Sequence, residues 1–259
     1  MKIPSQPQAT AARATWALAL FPPAIAASMA YTEGIALALA VGAGWAAWRG
    51  RFAWAGLATA AAALTRPTGA LIAIPVAMLA WQAGRSGRVR RLALGLGPAV
   101  VALGVFLGWM AATRGSWTLP FRAQRAWDRG ELGVGLVTTL PGQVADAFWE
   151  VVHGQARAAW TAVARDVAFA LLYAVLLVML WRREGGLRSP WVAYAVAVVV
   201  VPVSSGVVTS AARLGLLAYP LAWPAADWLG AREGRTRWAV AAAVLLTALM
   251  VAQLAIRSP

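Results

Sequence analysis

Apolar residues form runs along nearly the whole chain, and short polar turns separate these runs. The longest runs approach the ~20 residues with which a helix crosses the hydrocarbon core of a bilayer, and shorter ones can contribute inside a bundle. They lie at residues 16–30, 34–48, 52–64, 70–81, 91–112, 167–181, 191–209, 214–229 and 238–256. The pattern predicts an all-α, polytopic transmembrane helical bundle of about 8–9 membrane segments.

The same pattern predicts a polar N-terminal stub, residues 1–15, and a transmembrane domain, residues 16–259. One long loop, residues 113–165, interrupts the apolar runs. Within it, apolar residues recur at helical spacing: Leu140, Val144, Phe148, Val151 and Val152. This stripe predicts an amphipathic helix on the membrane surface, or equally a helix packed on its neighbours.

Composition agrees with a membrane protein, since 61% of the residues are hydrophobic and 12% are charged. Soluble domains are about 25% charged. The net charge of +14 would suit nucleic acid, but the arginines occur in short clusters between apolar runs. The clusters are at positions 49/51, 85/88/90/91, 182/183/188 and 232/235/237. This positive-inside pattern predicts a multi-pass membrane protein with membrane lipid, not nucleic acid, as a partner. A composition rich in Ala, Arg and Trp with one Lys looks like coding from a GC-rich genome, and a bacterial plasma membrane is the expected location.

With these clusters inside, residues 52–81 begin and end on the same side of the membrane. The run at residues 52–64 would be about 20 Å long as a helix, which is short of a ~30 Å core. A short helical hairpin fits, with residues 65–69 at its outer tip. Pro67 lacks an N–H and Gly69 permits a tight turn, so both suit that tip.

The beginning of the chain allows a second interpretation. Lys2 and Arg13 precede an apolar stretch that ends in Ala27-Ser28-Met29-Ala30, which resembles a signal-peptide cleavage site. The next apolar run follows at once, at residue 34, and this favours a helix that is retained.

Polar residues collect at the predicted outer end, and Arg66 is the most informative of them. A charge among membrane segments costs at least ~2.5–3.5 kcal/mol on insertion scales and usually faces an interior cavity. Guanidinium groups bind phosphate in a bidentate manner, and Trp and Tyr rings suit sugars. The candidate phosphate- and substrate-binding residues are Arg66, Arg213, Arg125, Tyr31, Thr65, Gln124 and Trp127.

The candidate general bases at this end are Glu33 and Asp128. Each candidate also has a plainer interpretation. Glu33 would favour a helix N-terminus as a first-turn acid, and Arg66 would extend to the headgroups. Asp128 would pair locally with Arg125 or Arg129, and Arg213 would bind lipid phosphate without specificity. The chain has one histidine, His153, and no cysteine, which argues against a histidine- or thiolate-based metal site. No cofactor is predicted, and a dependence on divalent metal is left open.

Three segments resemble the PIG-V-like mannosyltransferases, a family of GT-C membrane glycosyltransferases. They are Phe21-Pro22, Tyr31-Thr32-Glu33 and Ala63-Leu64-Thr65-Arg66-Pro67-Thr68-Gly69. Later segments that look similar are Gln124 with Trp127, Ser210-Ala211-Ala212-Arg213 and Tyr219-Pro220-Leu221. The resemblance runs in order over residues 16–230.

The resemblance implies transfer of mannose from a polyprenyl-phosphate donor on the non-cytoplasmic face, with inversion at the anomeric carbon. The acceptor would be a glycan, a glycolipid or a protein. Arg66 and Arg213 would bind the donor phosphate, and Glu33 and Tyr31 would line the site.

The chain departs from that family in one respect. The resemblance implies a catalytic acid in a first outer loop, and no such acid precedes Tyr31. The expectation is therefore an N-terminally truncated form, or a chain that acts with a separately encoded N-terminal partner. The alternative is a non-catalytic membrane protein, such as a lipid-phosphate carrier or a partner subunit.

Overall fold

The computed structural model describes residues 7–21, 24, 32–123, 142, 145, 148, 149, 153, 158–204, 211–231 and 234–257. Within these residues the fold is all-α, as the sequence predicts, and contains no strand. The α-helices are α1 (Pro7–Ala19), α2 (Glu33–Trp48), α3 (Phe52–Thr65), α4 (Ala73–Gln82), α5 (Arg88–Arg114), α6 (Leu119–Ala123), α7 (Ala158–Glu184), α8 (Pro190–Val203), α9 (Ala211–Leu214), α10 (Ala222–Gly230) and α11 (Arg235–Arg257). Short 3₁₀ helices cover Pro67–Ile72, Gly215–Leu217 and Tyr219–Leu221.

Small residues allow α2, α3 and α5 to pack closely. Ala36, Ala40 and Ala43 recur at helical spacing on the buried face of α2. Gly56 of α3 lies so close to α5 that an added Cβ would overlap the carbonyl oxygen of Leu94. Stripes of small residues let helix backbones approach one another, which is a common form of packing between membrane helices.

The short helical pair expected over residues 52–81 is present. Helix α3 ends at Thr65, and Arg66 is extended, with φ −164° and ψ 151°. The following 3₁₀ helix folds back on α3, because a Cβ on Gly69 would overlap the carbonyl oxygen of Ala62. The extended residue is a consequence of Pro67, since the residue before a proline is driven out of the helical region. The chain reversal therefore centres on Arg66.

The run expected as one helix over residues 214–229 is broken instead. Short helical pieces replace it, with interruptions near Gly215 and Ala218 before α10 begins. Pro220 cannot donate a backbone hydrogen bond, and Gly215 leaves room for the ring of Tyr173. The hydroxyl of Tyr194 donates to the freed carbonyl of Leu217 at 2.8 Å. A buried side chain thus supplies the hydrogen bond that the Leu217 carbonyl lacks where the helix is interrupted.

The expectation of about 8–9 membrane segments is not supported by the lengths of the described helices. Among them, one helix is both long and apolar enough to cross a membrane, α5, with 27 residues. Helices α2, α3 and α8 have 16, 14 and 14 residues. At 1.5 Å per residue they span roughly 21–24 Å, less than a ~30 Å core. The interruptions near Gly215 and Ala218 also divide a run that looks continuous in sequence.

The arginine-bearing turns meet at one end of the molecule, which we call the basic end. Gln82 Nε2 donates to the carbonyl of Arg188 at 3.0 Å, which joins the turn after α4 to the turn after α7. The side chain of Arg183 pairs with Asp227. Arg13 of α1 lies against Gly230. Other arginines of this end are Arg49, Arg51, Arg85, Arg88, Arg90 and Arg182.

The regions outside the apolar runs are described only in part. Helix α1 begins at Pro7, within the predicted stub of residues 1–15, and ends at Ala19. Helix α7 begins at Ala158, inside the predicted loop of residues 113–165. Of the expected amphipathic stripe, Phe148 is helical and 69% exposed. The other members of that stripe lie outside the described residues.

Candidate functional site

A buried carboxylate lies between two arginines at the end of the molecule opposite the basic end. Glu33 is 2% exposed. Its Oε1 lies 2.9 Å from Arg66 Nη1 and 3.0 Å from Arg213 Nε. We call these three residues the Glu33–Arg66–Arg213 cluster. It unites residues that are far apart in sequence.

Each member of the cluster occupies a position where a helix begins, ends or is interrupted. Glu33 is the first residue of α2, where a negative charge interacts favourably with the helix dipole. Arg66 is the extended residue between α3 and the 3₁₀ helix, so its side chain leaves the helix surface. Arg213 belongs to α9, a helix of four residues. The two 3₁₀ helices at residues 215–217 and 219–221, which we call the broken segment, follow it. Interrupted helices thus bring the charges together.

Exposure decreases toward the carboxylate. The side chain of Arg213 is 32% exposed, that of Arg66 is 12% exposed and that of Glu33 is 2% exposed. The cluster therefore opens on the Arg213 side and is closed around Glu33. A buried carboxylate is costly unless it is paired, and here the two guanidinium groups pair with it.

The cluster retains hydrogen-bonding capacity. Within the described part of the chain, Glu33 Oε2, Arg66 Nε and Thr68 Oγ1 are buried and have no hydrogen-bond partner. Arg66 Nη1 lies at ion-pair distance from Glu33, yet its direction does not fit a hydrogen bond. Buried polar groups are usually satisfied, so such a set is a reason to look for a ligand.

The charge of the cluster favours an anion. Among the side chains that the structure describes, two guanidinium groups meet one carboxylate here, and these three groups together carry a net positive charge. Arginine donors match the oxygen atoms of phosphate in charge and geometry. A phosphate group near Arg66 and Arg213 would interact favourably with both guanidinium groups and could accept from the unpartnered Nε of Arg66.

The structure brings together three of the residues that the sequence singles out, namely Glu33, Arg66 and Arg213. Thr65 directs its hydroxyl back to the carbonyl of Ala61 at 2.7 Å, within its own helix. Thr65 is thus engaged locally. The candidates Tyr31, Gln124, Arg125, Trp127 and Asp128 lie outside the described residues.

Sequence reasoning gave no separate role to Thr68, which lies at the same chain reversal and has a buried hydroxyl. A polar residue two positions after Arg66, in a turn flanked by apolar runs, is the signal that could have identified it. The sequence offers no comparable signal for the pairing of Glu33 with both arginines. That pairing depends on how α2, α3 and α9 pack.

An apolar cleft includes Gly215, two residues after Arg213 in sequence. It is bounded by α1, α7 and the broken segment that follows α9. Its lining includes Phe21, Tyr173, Leu176, Gly215 and Leu221. The ring of Phe21 packs edge-on against Phe169, with centroids 5.5 Å apart.

The described residues contain no group of three or more His, Asp or Glu side chains that could hold a metal ion. The ring of His153 contacts the carbonyl of Trp149 at 2.9 Å.

Comparison with family models, curated proteins and solved structures found no match to this chain.

Proposed function

We propose that this chain is a multi-pass membrane glycosyltransferase that uses a sugar linked to polyprenyl phosphate, most simply a mannose, on the non-cytoplasmic face. The observation that carries the proposal is the Glu33–Arg66–Arg213 cluster, in which two guanidinium groups meet one buried carboxylate. Its arginines would bind the donor phosphate.

The exposed apolar surface supports a membrane location. Of the most apolar stretch of α5, only 11% is buried, so this helix is not the core helix of a soluble protein. Val100, Val101 and Val105 on its outward face are 68%, 64% and 67% exposed. Exposed apolar surface of this extent marks contact with a membrane or another protein. We propose that the shorter helices complete a GT-C-like bundle around α5.

The two ends of the molecule support one orientation. Arginine-rich turns favour the cytoplasmic side, and the basic end would therefore lie inside. Helix α2 separates the ends by its 16 residues, from Trp48 near the basic end to Glu33 in the cluster. The cluster would then lie toward the non-cytoplasmic face, where lipid-linked sugars are used by enzymes of this kind.

The composition of the cluster supports a link to the resembled family. Glu33 comes from Tyr31-Thr32-Glu33, Arg66 from the segment at residues 63–69, and Arg213 from Ser210-Ala211-Ala212-Arg213. These are the segments on which the resemblance rests, and they converge on one carboxylate. A single binding site formed by these three segments would explain why all three resemble the same family.

In the proposed reaction an acceptor hydroxyl attacks the anomeric carbon of the sugar. The bond from that carbon to the phosphate oxygen breaks, and the polyprenyl phosphate leaves while held by Arg66 and Arg213. A base removes the proton of the attacking hydroxyl. Asp128 is a candidate for that base, as is Glu33. A separately encoded N-terminal partner could supply a further acid.

A second candidate function is non-catalytic binding of lipid phosphate, as in a carrier or a partner subunit. One observation favours it. Among the side chains that the structure describes, Glu33 is the only carboxylate at this end, and its Oε1 is already in contact with two guanidinium groups. A base dedicated to proton transfer is therefore missing from the described part of the site.

A transfer assay distinguishes these functions. Membranes that carry the chain are supplied with radiolabelled polyprenyl-phosphomannose. The proposal predicts label in an envelope glycan, glycolipid or protein, and predicts that Arg66→Ala abolishes it. The control is Arg90→Ala, since Arg90 is exposed at the basic end. Undiminished transfer by the Arg66→Ala protein would refute the assigned role. Lipid flux into proteoliposomes without transfer would favour the carrier.

A further inference from the structure

The two oxygen atoms of the Glu33 carboxylate differ in their contacts. Oε1 lies within 3.0 Å of both Arg66 and Arg213. Oε2 is buried and has no hydrogen-bond partner among the described residues. A carboxylate oxygen can only accept hydrogen bonds, so Oε2 calls for a donor.

A bare phosphodiester would leave Oε2 unsatisfied. Its oxygen atoms would accept from the free Arg66 donors and from Thr68, but at neutral pH it has no proton to donate. An anion placed beside Oε2 with no donor between them would also repel the carboxylate. The ligand that satisfies the whole cluster therefore has an anionic group and, next to it, a hydroxyl.

We infer that Glu33 is a specificity-determining residue whose Oε2 accepts a hydrogen bond from a hydroxyl of the group esterified to the phosphate. The inference rests on the proposed function and refines it. The cluster distinguishes a glycosyl phosphodiester from a phosphodiester that has no hydroxyl. Arg66 and Arg213 supply charge attraction to both ligands, and Glu33 supplies the discrimination.

The burial of Glu33 makes this discrimination strong. A hydrogen bond to a charged group contributes more than one between neutral groups, and leaving a buried charged group unsatisfied costs still more. Sites built to bind a hydroxyl reject analogues that lack it, because their buried polar groups are then left without partners. The expected preference for the hydroxyl-bearing ligand is about 10- to 100-fold.

The test compares two ligands with the same lipid and the same charge. Purified full chain in nanodiscs of neutral lipid is titrated with polyprenyl-phosphomannose and with the methyl diester of the same polyprenyl phosphate. Wild-type protein is expected to bind the mannose diester about 10- to 100-fold more tightly. Glu33→Gln replaces Oε2 by an amide donor, and is expected to reduce that preference about tenfold while the methyl diester binds at least as tightly as before.

The results have distinct meanings. Equal binding of the two diesters by wild-type protein overturns the inference and leaves the phosphate site intact, and this measurement needs no variant to fold. An unchanged preference in Glu33→Gln also overturns it. If neither diester binds more tightly than a neutral polyprenol, both the inference and the proposed function fail.

Discussion

The ion pair between Glu33 and Arg66 should contribute to stability in a way that a double-mutant cycle can measure. The two groups are 2.9 Å apart with side-chain exposures of 2% and 12%. Removing one partner of a buried pair typically costs about 3–5 kcal/mol. Arg66→Gln leaves Arg213 on the carboxylate, so its cost should be at the lower end, about 3 kcal/mol.

The cycle needs Glu33→Gln, Arg66→Gln and the double variant. Because each single change leaves a buried charge poorly compensated, the double variant should cost less than the sum of the singles, by about 1–3 kcal/mol. The free energy of unfolding is measured in detergent micelles by denaturant titration, followed by tryptophan fluorescence. The matched control is Arg183 with Asp227, whose side chains are 26% and 50% exposed. That pair should show a coupling of about 1 kcal/mol or less.

The reasoning would be refuted by additivity. If the Glu33 and Arg66 changes add to within ~0.5 kcal/mol, the two groups do not interact in the folded protein as the structure has them. A coupling as small as that of the exposed control pair would lead to the same conclusion.

Three further predictions concern packing, the broken segment and the membrane. Gly56→Ala should destabilise the folded protein by about 1–3 kcal/mol, because the added Cβ would overlap the Leu94 carbonyl. The control is Gly42→Ala, whose Cβ would meet nothing within 4 Å, and it should be neutral or stabilising. Equal melting temperatures of the two variants would contradict this. Tyr194→Phe should cost about 1–3 kcal/mol in unfolding free energy, because the Leu217 carbonyl loses its 2.8 Å hydrogen bond; an unchanged value would mean that this carbonyl is otherwise satisfied. The chain has no cysteine, so single cysteines can report membrane exposure. Ser116→Cys should react with an impermeant maleimide on intact cells, Arg85→Cys only after permeabilisation, and Val101→Cys in neither case; rapid labelling at Val101 would exclude contact of that face with lipid.

Sequence alone predicts the helical class and the position of the chain reversal, and both have local causes. The apolar runs specify helices wherever no proline or glycine interrupts them. At residues 65–69, Pro67 forces Arg66 out of the helix and Gly69 allows the return, so the reversal is visible in the sequence. The polarity of the two ends likewise follows from where the arginines cluster.

The number of membrane segments could not be predicted in the same way. The run at residues 214–229 is apolar except for Asp227, and tertiary contacts contribute to its break. Tyr173 fills the space beside Gly215, and Tyr194 satisfies the Leu217 carbonyl. Both tyrosines belong to other helices, so a window of sequence around the break contains only the local part of its cause, Gly215 and Pro220.

The sequence identifies the residues of the cluster, but it does not predict the contacts between them. An acid and two arginines in apolar surroundings stand out from the sequence. Their convergence on one oxygen of Glu33 requires α2, α3 and α9 to meet at one end, and no local pattern specifies that. Thr65 and Thr68 show the same limit, because one hydroxyl is bonded within its helix and the other is left for the site.

Direct binding of a lipid phosphate tests the central claim, which is that the cluster is an anion site in a membrane protein. Purified protein in nanodiscs is titrated with polyprenyl phosphate, and wild type is compared with Arg66→Gln and with the basic-end control Arg90→Gln. We predict that Arg66→Gln weakens binding about 10- to 100-fold, the effect of one lost charge-assisted contact, and that Arg90→Gln changes it less than about twofold. Equal weakening by the two variants, or none by Arg66→Gln, would contradict the claim.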